Sequence, residues 1–218
     1  MSQVDNITEQ ANRLLHAGKF QKAVPIYKKA VRLNPQQAYT HHNYAFALHE
    51  IGKRGKALKE YKIAIRLDPS DMESRNNIGN IRFEQGRYKK ALSCYRRCIE
   101  MAPESSDQHY NIGTALAALG RSAKAVSALE KAIECGEVGA DVYLAYGNVL
   151  DRVGRLIDAV LAYRWGLTLD PQKGLLYNGL ALTFERMGKK REAREAWRGA
   201  LQYGDAQTQT AARRRIKN

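Results

Sequence analysis

The side chains in this sequence that could do chemistry are few, and their spacing does not suit it. His42 and His49 stand seven residues apart, about two helical turns, with His16 on a neighbouring segment. They read as surface or groove histidines more readily than as metal ligands. Cys94 and Cys98 lie four apart on one helical stretch and Cys135 stands alone, giving neither a CxxC pair nor an even disulfide framework. Buried small apolar residues are the natural reading of these thiols. No glycine-rich phosphate loop, HExxH helix or nucleophile elbow is present. Catalysis has no foothold, no metal or cofactor is called for, and the chain is not expected to be an enzyme.

What recurs instead is an amide. Asn43, Asn77 and Asn111 follow one another at an interval of 34 residues. Asn12, Asn80 and Asn148 fall on multiples of the same interval, three positions further along, and Asn76 and Asn178 lie one residue before the first set. A carboxamide carries a donor and an acceptor, so it can pair with the N–H and C=O of an extended peptide whatever its side chains. The competing role is internal, with each asparagine helping adjacent helices hold one another. Tyr39, Phe46, Phe83 and Tyr110 are expected near these amides. As anchors for a partner's apolar groups, each would contribute about 1–3 kcal/mol when desolvated. Phe46 and Phe83 serve equally well as interhelix packing.

The elements that position these residues follow from the same interval. Gly18, Gly52, Gly86, Gly120, Gly154 and Gly188 are spaced by 34, each followed five residues later by an alanine. Four further on is a large residue: Tyr27, Tyr61, Tyr95, Leu129, Tyr163 and Trp197. Seven before each glycine is a small one: Ala11, Ala45, Gly79, Gly113, Gly147 and Ala181. Apolar residues at three- and four-residue spacing on both sides of the glycine predict two amphipathic helices per repeat. The glycine ends the first helix in a left-handed conformation, and Pro35, Pro69, Pro103 and Pro171 end second helices. First helices are predicted at 5–17, 39–51, 73–85, 107–119, 141–153 and 175–187. Second helices are predicted at 21–34, 55–67, 89–101, 123–135, 157–169 and 191–203. Pro25 is expected to delay or bend the first of these. Glu137 and Asp205 stand where a proline belongs, each after a glycine that can terminate the helix instead. The last residues, 206–218, are predicted to form a capping helix and basic tail, with Asp205 at its start and Ala212 and Ile216 covering the last repeat.

With these registers the chain resembles a tetratricopeptide repeat (TPR) protein of six tandem repeats: 4–37, 38–71, 72–105, 106–139, 140–173 and 174–205. The resemblance implies an all-α, right-handed superhelical solenoid that binds other proteins, with first helices on its concave side and second helices outside. Asparagine ladders of this kind grip peptide backbones in the repeat region of the O-GlcNAc transferases, which makes Asn12, Asn43, Asn77, Asn80, Asn111, Asn148, Tyr39 and Tyr110 the expected peptide-groove residues. Repeat proteins that hold the C-terminal carboxylate of Hsp70 or Hsp90 use groove cations. Here those places hold Thr8, Glu73 and Asn77, with Asp107 and Asp141 recurring in other registers. No such chaperone binding is expected.

Charge sorts with repeat position. The first-helix segments carry nine acidic against five basic residues, although the chain as a whole has a net charge of +14. The cations therefore belong to second helices, turns and tail. Every repeat follows its glycine with one: Lys19, Lys53, Arg87, Arg121, Arg155 and Lys189. A cation near a helix C-terminus complements its dipole by about 0.3–1 kcal/mol. Six along one edge also create a field for an acidic protein or an anionic membrane surface. Specific nucleic-acid binding is not expected, because no recognised motif or aromatic-basic platform is present.

The leading reading is an interaction adaptor: a groove for a peptide segment, with a basic edge for a second, anionic contact. The alternative is a self-assembling scaffold or homo-oligomer, resembling compact free-standing bacterial TPR scaffolds such as the magnetosome-associated MamA proteins. For it, Val4 and Ile7 on the first helix are expected to be uncovered, and acidic and basic faces favour head-to-tail contacts. With no apolar run of about 20 residues and a polar N-terminus, a cytoplasmic location, with membrane contact only at the periphery, is expected.

Overall fold

The computed structural model describes residues 3–136 and 138–217, with side chains from Asp5 to Ile216. Glu137 and the side chains of Val4 and Lys217 fall outside the described residues. Among the described residues all regular structure is helical: α1 (Gln3–His16), α2 (Phe20–Leu33), α3 (Ala38–Glu50), α4 (Arg54–Leu67), α5 (Met72–Glu84), α6 (Tyr88–Met101), α7 (Ser106–Ala118), α8 (Ser122–Glu134), α9 (Ala140–Arg152), α10 (Leu156–Leu169), α11 (Gly174–Arg186), α12 (Lys190–Tyr203) and α13 (Ala206–Lys217). They form an all-α helical-repeat solenoid in two compact bodies, Met1–Pro103 and Glu104–Asn218.

Each odd-numbered helix from α1 to α11 ends in the same way. Gly18 adopts φ +67 and its N–H bonds Leu15 O at 2.9 Å, while the next N–H, of Lys19, reaches back to Leu14 O at 2.8 Å. The pattern repeats through Gly188 and Lys189. It satisfies carbonyls that the helix end would otherwise leave open. Second helices end where a proline forces its predecessor out of helical geometry, as at Asp68 (φ −129, ψ 95) before Pro69. Pro25 neither delays nor interrupts α2, which runs unbroken from Phe20. Gly204 terminates α12 as expected of the glycine before Asp205. Its backbone is extended, φ −77 and ψ 162, and glycine is needed because a Cβ there would collide with Ala200 O and Thr208. Asp205 caps α13 by accepting the Thr208 N–H at 2.8 Å, and Ala212 is fully buried.

Within each hairpin the large second-helix residue fills the space that the small first-helix residue leaves. Tyr27, Tyr61, Tyr95, Leu129, Tyr163 and Trp197 are all buried. In the C-terminal body, Tyr163 is wedged between two glycines: a Cβ on Gly147 would lie 2.5 Å from its ring and one on Gly179 2.6 Å. The neighbouring hairpins thus close on one ring at interior packing density.

Candidate functional site

The first helices of the N-terminal body line a depression of about 510 Å³. α3 supplies Tyr39, His42, Asn43 and Phe46 from one face, as residues three and four apart must share a side of a helix. α1 closes one end with Leu15 and His16. Asp68 and Asp71 of the α4–α5 connection, with Glu73 of α5, make the opposite rim. Tyr39 is 53% exposed, so its ring is offered to solvent, whereas His42 and Asn43 are buried in the wall.

The rim is organised around His42. Its Nδ1 lies 2.9 Å from Ser74 Oγ and 3.6 Å from Asp71 Oδ2, and its Nε2 lies 3.6 Å from Glu73 Oε1. Asp71 also caps α5 by accepting the Ser74 N–H at 2.8 Å. Burial opposes charge on both partners, but their mutual bond outweighs it. His42 is raised above its ordinary 6.5, with Glu73 and Asp71 adding Coulombic support. Asp71 is lowered to about 2 by His42 and the Ser74 cap. Asp71 therefore stays ionised at any ordinary pH, and the rim presents negative charge.

A pH dependence follows. The imidazolium's stabilisation is fully present below the unfolded value near 6.5 and is lost as pH rises through the raised folded value. The stability difference between wild type and His42→Gln is expected to shrink as pH rises above the ordinary 6.5 and through the raised folded value. Parallel urea titrations would show it; a constant difference would mean that His42 is neutral throughout. Asp71 contributes in the other window: its stabilisation is present above about 3.8 and disappears as pH falls toward 2.

The amide ladder is largely spent on the fold. The Tyr27 hydroxyl donates to Asn12 Oδ1 at 2.7 Å, Tyr95 to Asn80 at 2.9 Å and Tyr163 to Asn148 at 2.8 Å. Asn43 donates its amide N–H to the same Asn12 oxygen at 3.1 Å and is buried. The second hairpin shows why the pairing exists: Phe46 occupies the asparagine position there, and the buried Tyr61 hydroxyl has no bond of ordinary geometry. Asn77 of the next helix approaches it instead. Asn80→Ala is expected to destabilise by about 1–3 kcal/mol because it orphans a buried hydroxyl, and Tyr95→Phe in the same chain should recover most of the loss. A double-mutant cycle in denaturant checks this; additive losses would show that the two groups do not interact.

Asn77 and Asn111 are half-buried on α5 and α7. Tyr110 is half-buried on α7, and burial with the nearby Asp141 raises its hydroxyl. In the C-terminal body the position equivalent to Tyr39 and Glu73 holds Asp107 and Asp141, both exposed, the latter bonded by Lys173 at 3.0 Å.

All six edge cations, Lys19, Lys53, Arg87, Arg121, Arg155 and Lys189, are exposed. Each is also the N-cap of a second helix. The favourable dipole of the helix it follows is thus offset by the unfavourable one of the helix it begins, so dipole energy does not explain the stripe. Arg155 is the member drawn into ion pairs, with Asp158 at 2.7 Å and Glu130 at 3.5 Å. The cysteines are free thiols; Cys98 is fully buried, and burial pushes it up to about 11, away from a reactive thiolate. Among the described residues no group of three His, Cys, Asp or Glu could hold a metal ion, and no helix is long and apolar enough to cross a membrane.

The His42–Asp71–Ser74 arrangement was not read from the sequence. Its one visible signal is Asp71 three residues before Ser74, an N-cap spacing, which says nothing of the histidine 32 residues from Ser74.

Known proteins share this architecture. In solved structures, YrrB, described as a TPR protein with an unusual peptide-binding site, aligns with a TM-score of 0.69 and 23% identity over 86% of this chain and 97% of its own. PilF of Pseudomonas aeruginosa aligns at 0.80 and 20% over 97% of each chain. MamA of Desulfovibrio magneticus RS-1 aligns at 0.72 and 18% over 78% of this chain and 97% of its own. At such identities these show the fold. A search of curated proteins finds no significant match. Family models for the tetratricopeptide repeat match residues 8–71 and 110–174, and a second such model matches 70–137. With the glycine-ended hairpins, those matches place the chain in the tetratricopeptide repeat family, whose members are generally protein-interaction modules.

Proposed function

We propose that this chain is a protein–protein interaction scaffold that takes a peptide segment on the first-helix face of its N-terminal body and selects one bearing a cationic side chain. The observation that carries this reading is the depression itself, where an exposed aromatic ring stands opposite Asp68, Asp71 and Glu73. A lysine or arginine between those carboxylates gains charge-assisted hydrogen bonds, while Tyr39 and Phe46 cover an adjacent apolar group. In that body Asn77 is the amide proposed to meet peptide backbone, while Asn12, Asn43 and Asn80 hold its first helices in place. The six exposed edge cations supply the second, anionic contact. The same carboxylates disfavour a chaperone C-terminal carboxylate.

Panning a displayed random-peptide library against the whole chain tests this. Enriched peptides are expected to carry lysine or arginine beside an apolar residue. Tyr39→Ala should weaken them about tenfold without changing the melting temperature, since the ring is exposed. Enrichment of acidic peptides, or equal binding by Tyr39→Ala, would overturn it.

A further inference from the structure

In the C-terminal body, α10 is apolar on the side that faces away from the core. Its buried face is complete with Ala159, Val160, Ala162, Tyr163 and Gly166. Yet Ile157 is 68% exposed, Leu161 50%, Trp165 60% and Leu169 53%. Steps of four place these side chains in one ridge along the helix. The fourth position is unremarkable, because Leu33, Met101 and Tyr203 are exposed there too. As a set of three exposed apolar side chains the others are peculiar to this repeat, although Ile63 of α4, half-buried, stands at the place of Trp165. α8 has Ala123, Ser127 and Lys131 in their places, and α12 has Arg191, Glu195 and Gly199. A second apolar stripe on a helix whose buried face is already complete is normally one that something covers.

Beside the ridge lies a depression of about 380 Å³ between α8 and α10, floored by Tyr143 and Tyr146 of α9 and walled by Ile133, Leu161 and Trp165. Its rim is acidic. Glu130, Glu134 and Asp158 outnumber Arg155, which pairs with Asp158 and Glu130, and the neighbouring Lys131, which reaches Glu134 at 3.7 Å. The Tyr146 hydroxyl donates to Glu130 at 2.8 Å, fixing that carboxylate at the edge of the groove. An apolar groove with a net negative rim, in a chain of net charge +14, is a local reversal of sign.

We infer that the α10 ridge and its groove dock an amphipathic helix of a partner protein, with large apolar residues on one face flanked by lysine or arginine. The apolar face would cover Ile157, Leu161 and Trp165 in the helix-in-groove manner, and the flanking cations would meet Glu130, Glu134 and Asp158. A second copy of this chain fits less well. It brings its own +14 charge to a chain of the same sign. An anionic lipid surface would meet the acidic rim first. This site is separate from the first-helix depression and does not depend on it.

The test uses two labelled helical peptides with the same leucine face, one flanked by lysines and one by glutamates, titrated against the full chain by anisotropy. The lysine peptide is expected to bind at least tenfold more tightly than the glutamate peptide. It should lose at least tenfold to Leu161→Glu with Trp165→Glu, while helicity and melting temperature stay unchanged. Glu134→Lys should narrow the difference between the peptides. Equal binding of both peptides, or binding unchanged by the double substitution, overturns the inference. So does a ridge-dependent increase in mass with concentration in sedimentation, which would make a second copy the occupant. Ridge-dependent binding to phosphatidylglycerol vesicles without peptide binding would assign the ridge to membrane instead.

Discussion

Tyr163→Ala is expected to destabilise the chain by about 3–5 kcal/mol, the range for deleting a fully buried aromatic side chain. The ring is 2% exposed, sits between Gly147 and Gly179, and donates its hydroxyl to Asn148. Neither glycine can move a side chain into the vacated space, so the cavity would persist and the α9–α10 and α11–α12 hairpins would lose their shared wedge. Tyr163→Phe separates the two contributions. It removes only the hydrogen bond and should cost about 0.5–1.5 kcal/mol. Two residues along the same helix, Trp165→Ala should change stability by no more than about 0.5 kcal/mol, because its ring is 60% exposed. Urea denaturation of the three variants checks the order. Comparable losses at 163 and 165 would mean that the second-helix face is covered in the free protein, which would also remove the α10 ridge from consideration as a docking surface.

The second large effect concerns binding. Reversing the rim with Asp68→Lys and Glu73→Lys together should reduce the affinity of a lysine- or arginine-bearing peptide by about tenfold or more, since like charges opposed across an interface cost at least the 1.4 kcal/mol that a factor of ten represents. Glu73 tolerates the change for stability, whereas Asp68 also accepts the Ser70 N–H at 2.9 Å and the Ser70 hydroxyl at 2.6 Å in the α4–α5 turn, so melting temperature is compared alongside. Glu73 is largely exposed, with its carboxylate 3.6 Å from His42, and the α5 cap belongs to Asp71, which is left in place. Most of the loss should appear in the association rate and diminish as salt is raised, because the Debye length falls to about 8 Å at physiological ionic strength. Stopped-flow measurement at two salt concentrations distinguishes this from a packing defect. A loss confined to dissociation and insensitive to salt would show that the carboxylates do not attract the ligand.

Much of the molecule was legible before any coordinates. The helix boundaries fall about one residue from those expected of the 34-residue interval, because glycine at positive φ and proline after a helix are local requirements that each residue meets alone. The exposure of the six edge cations, the acidity of the first-helix face and the burial of the large second-helix residues are likewise matters of period and register. What tertiary structure decided was the use of each polar group. Asn12, Asn80 and Asn148 were read as peptide contacts, but their oxygens are taken by tyrosines 15 residues on, a pairing that exists only once the hairpin closes. The His42–Asp71–Ser74 cluster joins side chains from two repeats, and the acidic groove beside Trp165 joins three helices. An apolar residue at a helical spacing looks the same in sequence whether its face is covered or bare. Register marks Tyr163 as buried, but only the neighbours brought in by folding show that Ile157, Leu161 and Trp165 on the same helix stay exposed, since burial is a property of what surrounds a side chain and not of the side chain itself.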